Sequence, residues 1–165
     1  MLKIGFIGAG TVGTALAISL SRKGYPVVAV SSRSHTSARF LAQAIGSRPV
    51  LSNNQGVAEA AELTFITTPD DAIASVVSEI KWHRGQSVVH CSGADSTDIL
   101  ASAKKSGACV GVFHPLQTFA SSQQAIENIP GTTFALEAEE PLLDTLKEMA
   151  TALGGHWIVL KAEDK

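Results

Sequence analysis

Lys3-Ile4-Gly5-Phe6-Ile7-Gly8-Ala9-Gly10-Thr11-Val12-Gly13 is a short apolar strand that runs straight into a glycine turn. The three glycines of the turn have separate tasks in a dinucleotide site. Gly8 permits the tight turn off the strand, Gly10 has no Cβ to obstruct a pyrophosphate, and Gly13 lets the next helix lie close to the sheet. A helix is expected from Thr14 to Lys23, with its unpaired N–H groups and positive dipole end aimed at the turn, so that an anion there requires no lysine. Val27 to Ser31 then completes a βαβ unit. GxGxxG alone is a weak signal, and in other settings it is a glycine turn with only a structural role. Here the strand before and the helix and strand after supply the context it requires. Gly8, Ala9, Gly10, Thr11, Val12 and Gly13 are therefore expected to cradle a dinucleotide.

The composition agrees with a buried sheet. A chain of 165 residues, 45% hydrophobic and 17% charged, fits one domain with a core of ordinary size. Its mean hydropathy is +0.18. No apolar run approaches the roughly 18 residues that cross a bilayer, and Met1-Leu2-Lys3 enters the first strand at once. A cytoplasmic protein with no membrane partner is expected, and Cys91 and Cys109 suit reduced thiols there. The first 58 residues hold six basic groups and no acid, and the rest hold seven basic and fifteen acidic. The basic part is the half that should hold phosphates, yet it is far too sparse for a nucleic-acid footprint, so no nucleic-acid partner is expected.

Strand-like runs alternate with helical ones, which implies parallel strands and right-handed crossovers. Helices are expected over Ser37 to Ile45, Asn54 to Ala61, Pro69 to Ile80 and Thr97 to Ser106. Between them lie strands at Pro49 to Leu51, Leu63 to Thr67, Ser87 to His90 and Cys109 to Phe113. Thr68 reads as the N-cap of the third of these helices, with Pro69 at its first position and Asp71 closing a capping box. Further on, a short helix at Ser122 to Glu127, a strand at Thr132 to Leu136, an amphipathic helix at Pro141 to Leu153 and a strand at His156 to Leu160 are expected. The fold class is α/β: a doubly wound, mostly parallel sheet of order 3-2-1-4-5-6 with extra strands at one edge.

Cofactor choice is made at the end of the second strand. A site for the unphosphorylated dinucleotide usually carries Asp or Glu there, to grip the ribose 2'-hydroxyl; a site for NADP supplies Arg and hydroxyls for the 2'-phosphate. This chain has Ser31-Ser32-Arg33-Ser34, so NADP is expected, with Arg33 as a planar fork for the phosphate and Arg39 as a second candidate. Arg33 as a solvated loop residue and the serines as helix caps remain the plain alternative. The nicotinamide should lie across the carboxyl ends of later strands, where the loops read Thr67-Thr68-Pro69, Cys91-Ser92-Gly93 and His114-Pro115-Leu116. Thr67 and Thr68 are candidates for the nicotinamide ribose, Pro69 and Ile73 for stacking near it, and Cys91, Ser92 and Gly93 for close backbone approach. His114 is the candidate proton donor to a carbonyl or imine, because imidazole titrates near neutrality. Its alternative is a bond to a neighbouring backbone carbonyl. His90, Cys91, Cys109 and His114 lack CxxC spacing, and adjacent strand residues point to opposite faces, so no metal site is expected.

Taken together, Gly8-Ala9-Gly10-Thr11-Val12-Gly13, Ser32-Arg33-Ser34, Thr67-Thr68-Pro69-Asp70, His90-Cys91-Ser92-Gly93 and Phe113-His114-Pro115-Leu116-Gln117-Thr118-Phe119 resemble the N-terminal Rossmann-like domain of a family of NADP oxidoreductases of unassigned substrate. More distantly they are similar to deazaflavin-dependent NADP oxidoreductases, pyrroline-5-carboxylate reductases and prephenate and β-hydroxyacid dehydrogenases. The resemblance implies hydride transfer between nicotinamide and a small carbonyl, imine or hydroxy-acid substrate. It also implies a helical C-terminal domain, often a homodimer-former, after a segment like Trp157 to Lys165. Residues 1–160 thus read as the NADP-binding domain and 161–165 as a charged exit toward that domain. The alternatives are a non-catalytic NADP-binding or sensing module and a deazaflavin-dependent NADP reductase.

Overall fold

The computed structural model describes residues 2–46 and 49–161. Met1, Arg48 of the basic half and the charged exit beyond Lys161 lie outside the described residues. The described chain forms one eight-stranded sheet of order β3-β2-β1-β4-β5-β6-β7-β8. Its strands are β1 (Ile4–Ile7), β2 (Val27–Ser31), β3 (Val50–Leu51), β4 (Leu63–Ile66), β5 (Ser87–His90), β6 (Cys109–Pro115), β7 (Thr133–Ala138) and β8 (His156–Val159). The first six are parallel, β7 is antiparallel to β6, and β8 is parallel to β7. The α/β class and the 3-2-1-4-5-6 order match the expectation, and β7 and β8 are the extra edge strands.

The helices are α1 (Thr11–Arg22), α2 (His35–Ala44), α3 (Asn54–Ala60), α4 (Ile73–Glu79), α5 (Ala101–Lys105), α6 (Ser122–Asn128) and α7 (Leu142–Ala152). Central strands buried on both faces explain the unbroken apolar runs in the sequence. On one face Leu16 and Leu20 of α1, Leu41 of α2 and Leu146 and Met149 of α7 pack against Phe6, Phe65, Phe113 and Phe134. Those four rings run across the sheet with centroids 4.9, 5.9 and 4.5 Å apart, so aromatic contact adds to area burial along one line of the core. On the other face Val57 of α3, Val77 of α4 and Ala103 of α5 cover Ile7, Ile66 and Val88. No helix among the described residues is long and apolar enough to cross a membrane.

Several boundaries depart from the sequence expectation. Helix α1 begins at Thr11 rather than Thr14, because Gly10 is itself the N-cap and its carbonyl accepts the first helical bond from the Thr14 N–H at 2.9 Å. Helix α2 begins at His35 rather than Ser37, because the Ser34 hydroxyl caps it by accepting from the Ser37 N–H at 3.2 Å. The capping box at Thr68 does not form. Pro69 is still extended at ψ 148°, the chain turns only at Asp70–Ala72 in a 3-10 turn, and α4 follows from Ile73. A similar 3-10 turn, Thr97–Leu100, precedes α5 where one longer helix was expected.

Candidate dinucleotide site

The glycine turn is built by steric necessity at two positions. Gly8 has φ +109°, and a Cβ there would lie 2.6 Å from the Thr67 carbonyl carbon and 2.8 Å from the Thr68 nitrogen. A Cβ on Gly13 would collide with the Thr67 hydroxyl and sit 2.8 Å from the Gly8 carbonyl oxygen. Gly10 differs: a Cβ there meets nothing within 4 Å, so the space above it is open. As N-cap it has no side chain to satisfy the first-turn amides of α1, and that turn carries no acidic residue. These amides and the dipole end remain available to an anion.

This turn opens into a cavity of about 360 Å³ across the carboxyl ends of β1, β2, β4 and β5. Gly8, Ala9, Gly10, Thr11 and Val12 line one wall, Ser32 and Arg33 one end, and Thr67, Thr68, Pro69, Ile73, Cys91 and Ser92 the rest. The other predicted residues stand behind this surface or beside it. Gly13 is packed on Thr67. The Ser31 hydroxyl donates to Asn54 Oδ1 at 2.7 Å, and Ser34 is engaged as the α2 cap. Arg39 lies outside the cavity lining, with its guanidinium 3.2 Å from His35 Nε2.

The two threonines after β4 have different duties. Thr67 Oγ1 donates to the Gly8 carbonyl at 2.9 Å, with the Ile7 carbonyl at 3.3 Å, and so braces the glycine turn from the neighbouring strand. Thr68 Oγ1 is buried with no hydrogen-bond partner among the described residues. A buried hydroxyl left unpaired is costly, and Thr68 is a cavity-lining residue.

Past β5, the chain is held by two histidines. His90 is fully buried; its Nδ1 accepts from the Ser92 N–H at 3.0 Å, and its Nε2 lies 2.9 Å from the Ser96 carbonyl oxygen. Accepting at Nδ1 fixes the proton on Nε2, which donates to Ser96, so the ring staples the loop from residue 92 to residue 96. His114 stands on β6 with Nδ1 2.9 Å from the Cys91 carbonyl oxygen, and its ring lies against Gly93. Neither His114 nor Gly93 lines the cavity. The Ser92 hydroxyl donates to Asp95 at 3.1 Å and accepts from the Ala94 N–H. Burial, and to a lesser degree the Asp70 carboxylate, push the Cys91 thiol up from 9.0 to about 12. It is therefore a neutral wall of the cavity and not a nucleophile. Cys109 is opposite Ser87, at the other end of β5 from Cys91, so the two thiols do not meet.

Sequence reasoning missed three residues here. Asp70 and Ile66 line the cavity, whereas the sequence reading places Asp70 at a helix start and in the Thr67-Thr68-Pro69-Asp70 segment without naming it as a site residue. The sequence reading takes His90 as a strand residue, a member of the rejected metal set and part of the His90-Cys91-Ser92-Gly93 segment, and gives it no bracing role, although a histidine two positions before a serine at a strand end is a visible signal for a local ring-to-backbone bond.

Residues 1–115 match the profile of a Rossmann-like domain. Among solved structures the chain is similar to a candidate NADP oxidoreductase from Bacteroides fragilis, with 30% identity and a TM-score of 0.80, over 99% of this chain and 62% of that one. It shares its fold with a reductive aminase from Aspergillus terreus solved with NADPH and ethyl-5-oxohexanoate (16% identity, TM-score 0.76, 97% of this chain and 55% of that one). The same holds for prephenate dehydrogenase from A. aeolicus solved with hydroxyphenyl propionate and NAD+ (14% identity, TM-score 0.78, 99% and 61%). The chain thus spans less than two thirds of each of these proteins. No curated protein matches the sequence. A glycine turn braced by Thr67, an uncapped α1 and the match over residues 1–115 together place the chain in the Rossmann-like domain family.

Proposed function

We propose that this chain is the NADP(H)-binding domain of an oxidoreductase that exchanges hydride with a small carbonyl, imine or hydroxy-acid substrate. The observation that carries the reading is the cavity itself. It joins open space over Gly10, Arg33 at the end of β2 and the unpaired Thr68 hydroxyl in one surface. These residues fit a phosphorylated dinucleotide. The α1 amides receive the pyrophosphate, Arg33 and Ser32 receive the 2'-phosphate without a carboxylate to repel it, and Thr68 bonds the nicotinamide half. The similarity to the Bacteroides fragilis protein and the NADPH held by the reductive aminase on the same fold support the choice of coenzyme.

When bound, the coenzyme supplies hydride exchange at its nicotinamide ring. The chain's own part is to position it and to exclude water from one side: Pro69 and Ile73 offer the apolar wall, and neutral Cys91 adds no competing nucleophile. His114 is the proposed proton donor to substrate. Its ring does not line the cavity, with Nδ1 2.9 Å from the Cys91 carbonyl oxygen and the ring against Gly93, so in this role it would meet substrate and not the coenzyme. The longer protein is read as a cytoplasmic homodimer whose C-terminal helical domain completes the cleft. Calorimetry tests the core of the reading: NADPH should bind one site per chain and tighter than NADH, and a flat NADPH titration removes the assignment.

A further inference from the structure

The dinucleotide cavity holds a charge that the anion-binding turn does not call for. Of the residues that line it, Arg33 is the one basic group and Asp70 the one acid. A phosphorylated dinucleotide is strongly anionic, so a carboxylate in its cavity opposes binding wherever it faces phosphate. Sheet order separates the two charges. Arg33 follows β2 and Asp70 follows β4, with β1 between them, so the strand ends that bear them are about 10 Å apart at the usual strand spacing. Within the segment after β4, Thr67 bonds the glycine turn, whereas Asp70, three residues on, acts on the far side: its carboxylate helps to keep the Cys91 thiol neutral. Cys91 is the first residue beyond β5. Pro69 before Asp70 and Ile73 after it belong to the same wall.

We propose that Asp70 is the residue by which the site distinguishes the oxidised from the reduced coenzyme, its carboxylate favouring NADP+ over NADPH. This rests on the NADP reading of the same cavity. The nicotinamide ring is the part of the coenzyme whose charge changes in the reaction: it is neutral when reduced and carries one positive charge when oxidised. A carboxylate at the β4 and β5 end of the cavity meets the same phosphates in both forms but attracts the ring in only one, so it acts on the difference. The apolar Pro69 and Ile73 and the neutral Cys91 screen that attraction little. Hydride departure from C4, one proton with two electrons, leaves the ring cationic; the substrate carbon gains that hydrogen, and its oxygen or nitrogen takes a proton. Favouring the cation therefore favours reduction of the substrate. The other role open to Asp70 is local, since an acid in the turn Asp70–Ala72 suits the dipole of the helix that follows. That role bears on stability and is blind to the charge of the ring.

The test titrates the whole protein by calorimetry with NADP+ and with NADPH, and reads the ratio of the two affinities. Asp70→Asn keeps the size of the side chain and removes its charge. It should weaken NADP+ relative to NADPH by about threefold or more, the scale of one partly screened charge pair. Asp71→Asn removes the neighbouring charge, which lies outside the cavity lining, and should leave the ratio at the wild-type value. A second measurement needs no variant. Added salt should lower the wild-type affinity for NADP+ relative to NADPH, because the phosphates are common to both forms and only the ring differs. A ratio unchanged in Asp70→Asn, equal shifts in Asp70→Asn and Asp71→Asn, or a wild-type ratio indifferent to salt overturns the proposal and assigns Asp70 to the helix start. A wild type that binds neither form removes the coenzyme reading itself, and the proposal with it.

Discussion

The His114 ring and Gly93 are packed so closely that a Cβ on residue 93 would overlap the imidazole, whose Nδ1 lies 2.9 Å from the Cys91 carbonyl oxygen. A side chain on β6 thus fixes two points of the loop that follows β5. Gly93→Ala should cost about 1–3 kcal/mol, the usual range for overpacking. In a His114→Ala background most of that cost should vanish, because the obstacle is gone. A double-mutant cycle by urea unfolding measures this, and purely additive effects would show that the two residues are not coupled.

The glycine turn separates folding from binding. Gly10→Ala adds a methyl where nothing lies within 4 Å, so the variant should unfold at the wild-type urea concentration yet lose most of its NADPH affinity. Gly13→Ala forces a Cβ against Thr67 and the Gly8 carbonyl, and should lower stability as well as binding. Chemical denaturation paired with calorimetry on both variants distinguishes them. A Gly10→Ala protein that binds NADPH normally would place the pyrophosphate elsewhere.

Much of this architecture was legible because the signals are local. The apolar runs Val27 to Ser31 and Leu63 to Ile66 declare strands, and the glycine spacing declares the turn between β1 and α1. What was not legible depends on contacts between distant residues. Thr68 followed by Pro69 and two aspartates satisfies the pattern for a capping box, but Pro69 stays extended and the hydroxyl is left buried without a partner among the described residues. Thr67 becomes a brace only when the sheet sets it beside Gly8. The antiparallel pairing of β7 with β6 was likewise hidden, since Thr133 to Ala138 carries no mark of direction.

Burial raises the Cys91 thiol from 9.0 to about 12, with the Asp70 carboxylate adding to it. Below pH 9 the thiol is protonated in both folded and unfolded chains, and it leaves stability unchanged. Between 9 and about 12 the unfolded chain releases the proton and the folded one retains it, so stability falls as pH rises. Cys91→Ala should flatten that part of the decline, read from urea midpoints across the alkaline range. At neutral pH iodoacetamide should label exposed Cys109 well before partly buried Cys91, and equal labelling would contradict the raised thiol.

Arg33 is exposed at one end of the cavity, where β2 gives way to α2. Arg33→Ala should weaken NADPH by about 1–3 kcal/mol, the worth of a charged hydrogen bond, and leave NADH almost untouched. Competition calorimetry with the two coenzymes gives the ratio. Equal losses for both would mean that Arg33 does not read the phosphate, and attention would move to Ser32.

Thr67 and Thr68 are adjacent and chemically identical, yet their substitutions should act in opposite ways. Thr67→Val removes the hydroxyl that holds the Gly8 carbonyl at 2.9 Å, leaving a braced turn unbraced, and should cost about 1–2 kcal/mol of stability. Thr68→Val deletes a buried hydroxyl that has no partner among the described residues, so stability should hold or rise slightly, since a desolvated polar group is replaced by a methyl of the same shape. Coenzyme binding should invert the order. Thr68→Val loses the one hydroxyl of the pair left free for a ligand, and its NADPH affinity should drop by about tenfold. Thermal unfolding with and without NADPH reads both quantities in one experiment. A Thr68→Val protein that is destabilised alone but stabilised by NADPH as fully as wild type would show that the hydroxyl serves the fold and not the coenzyme.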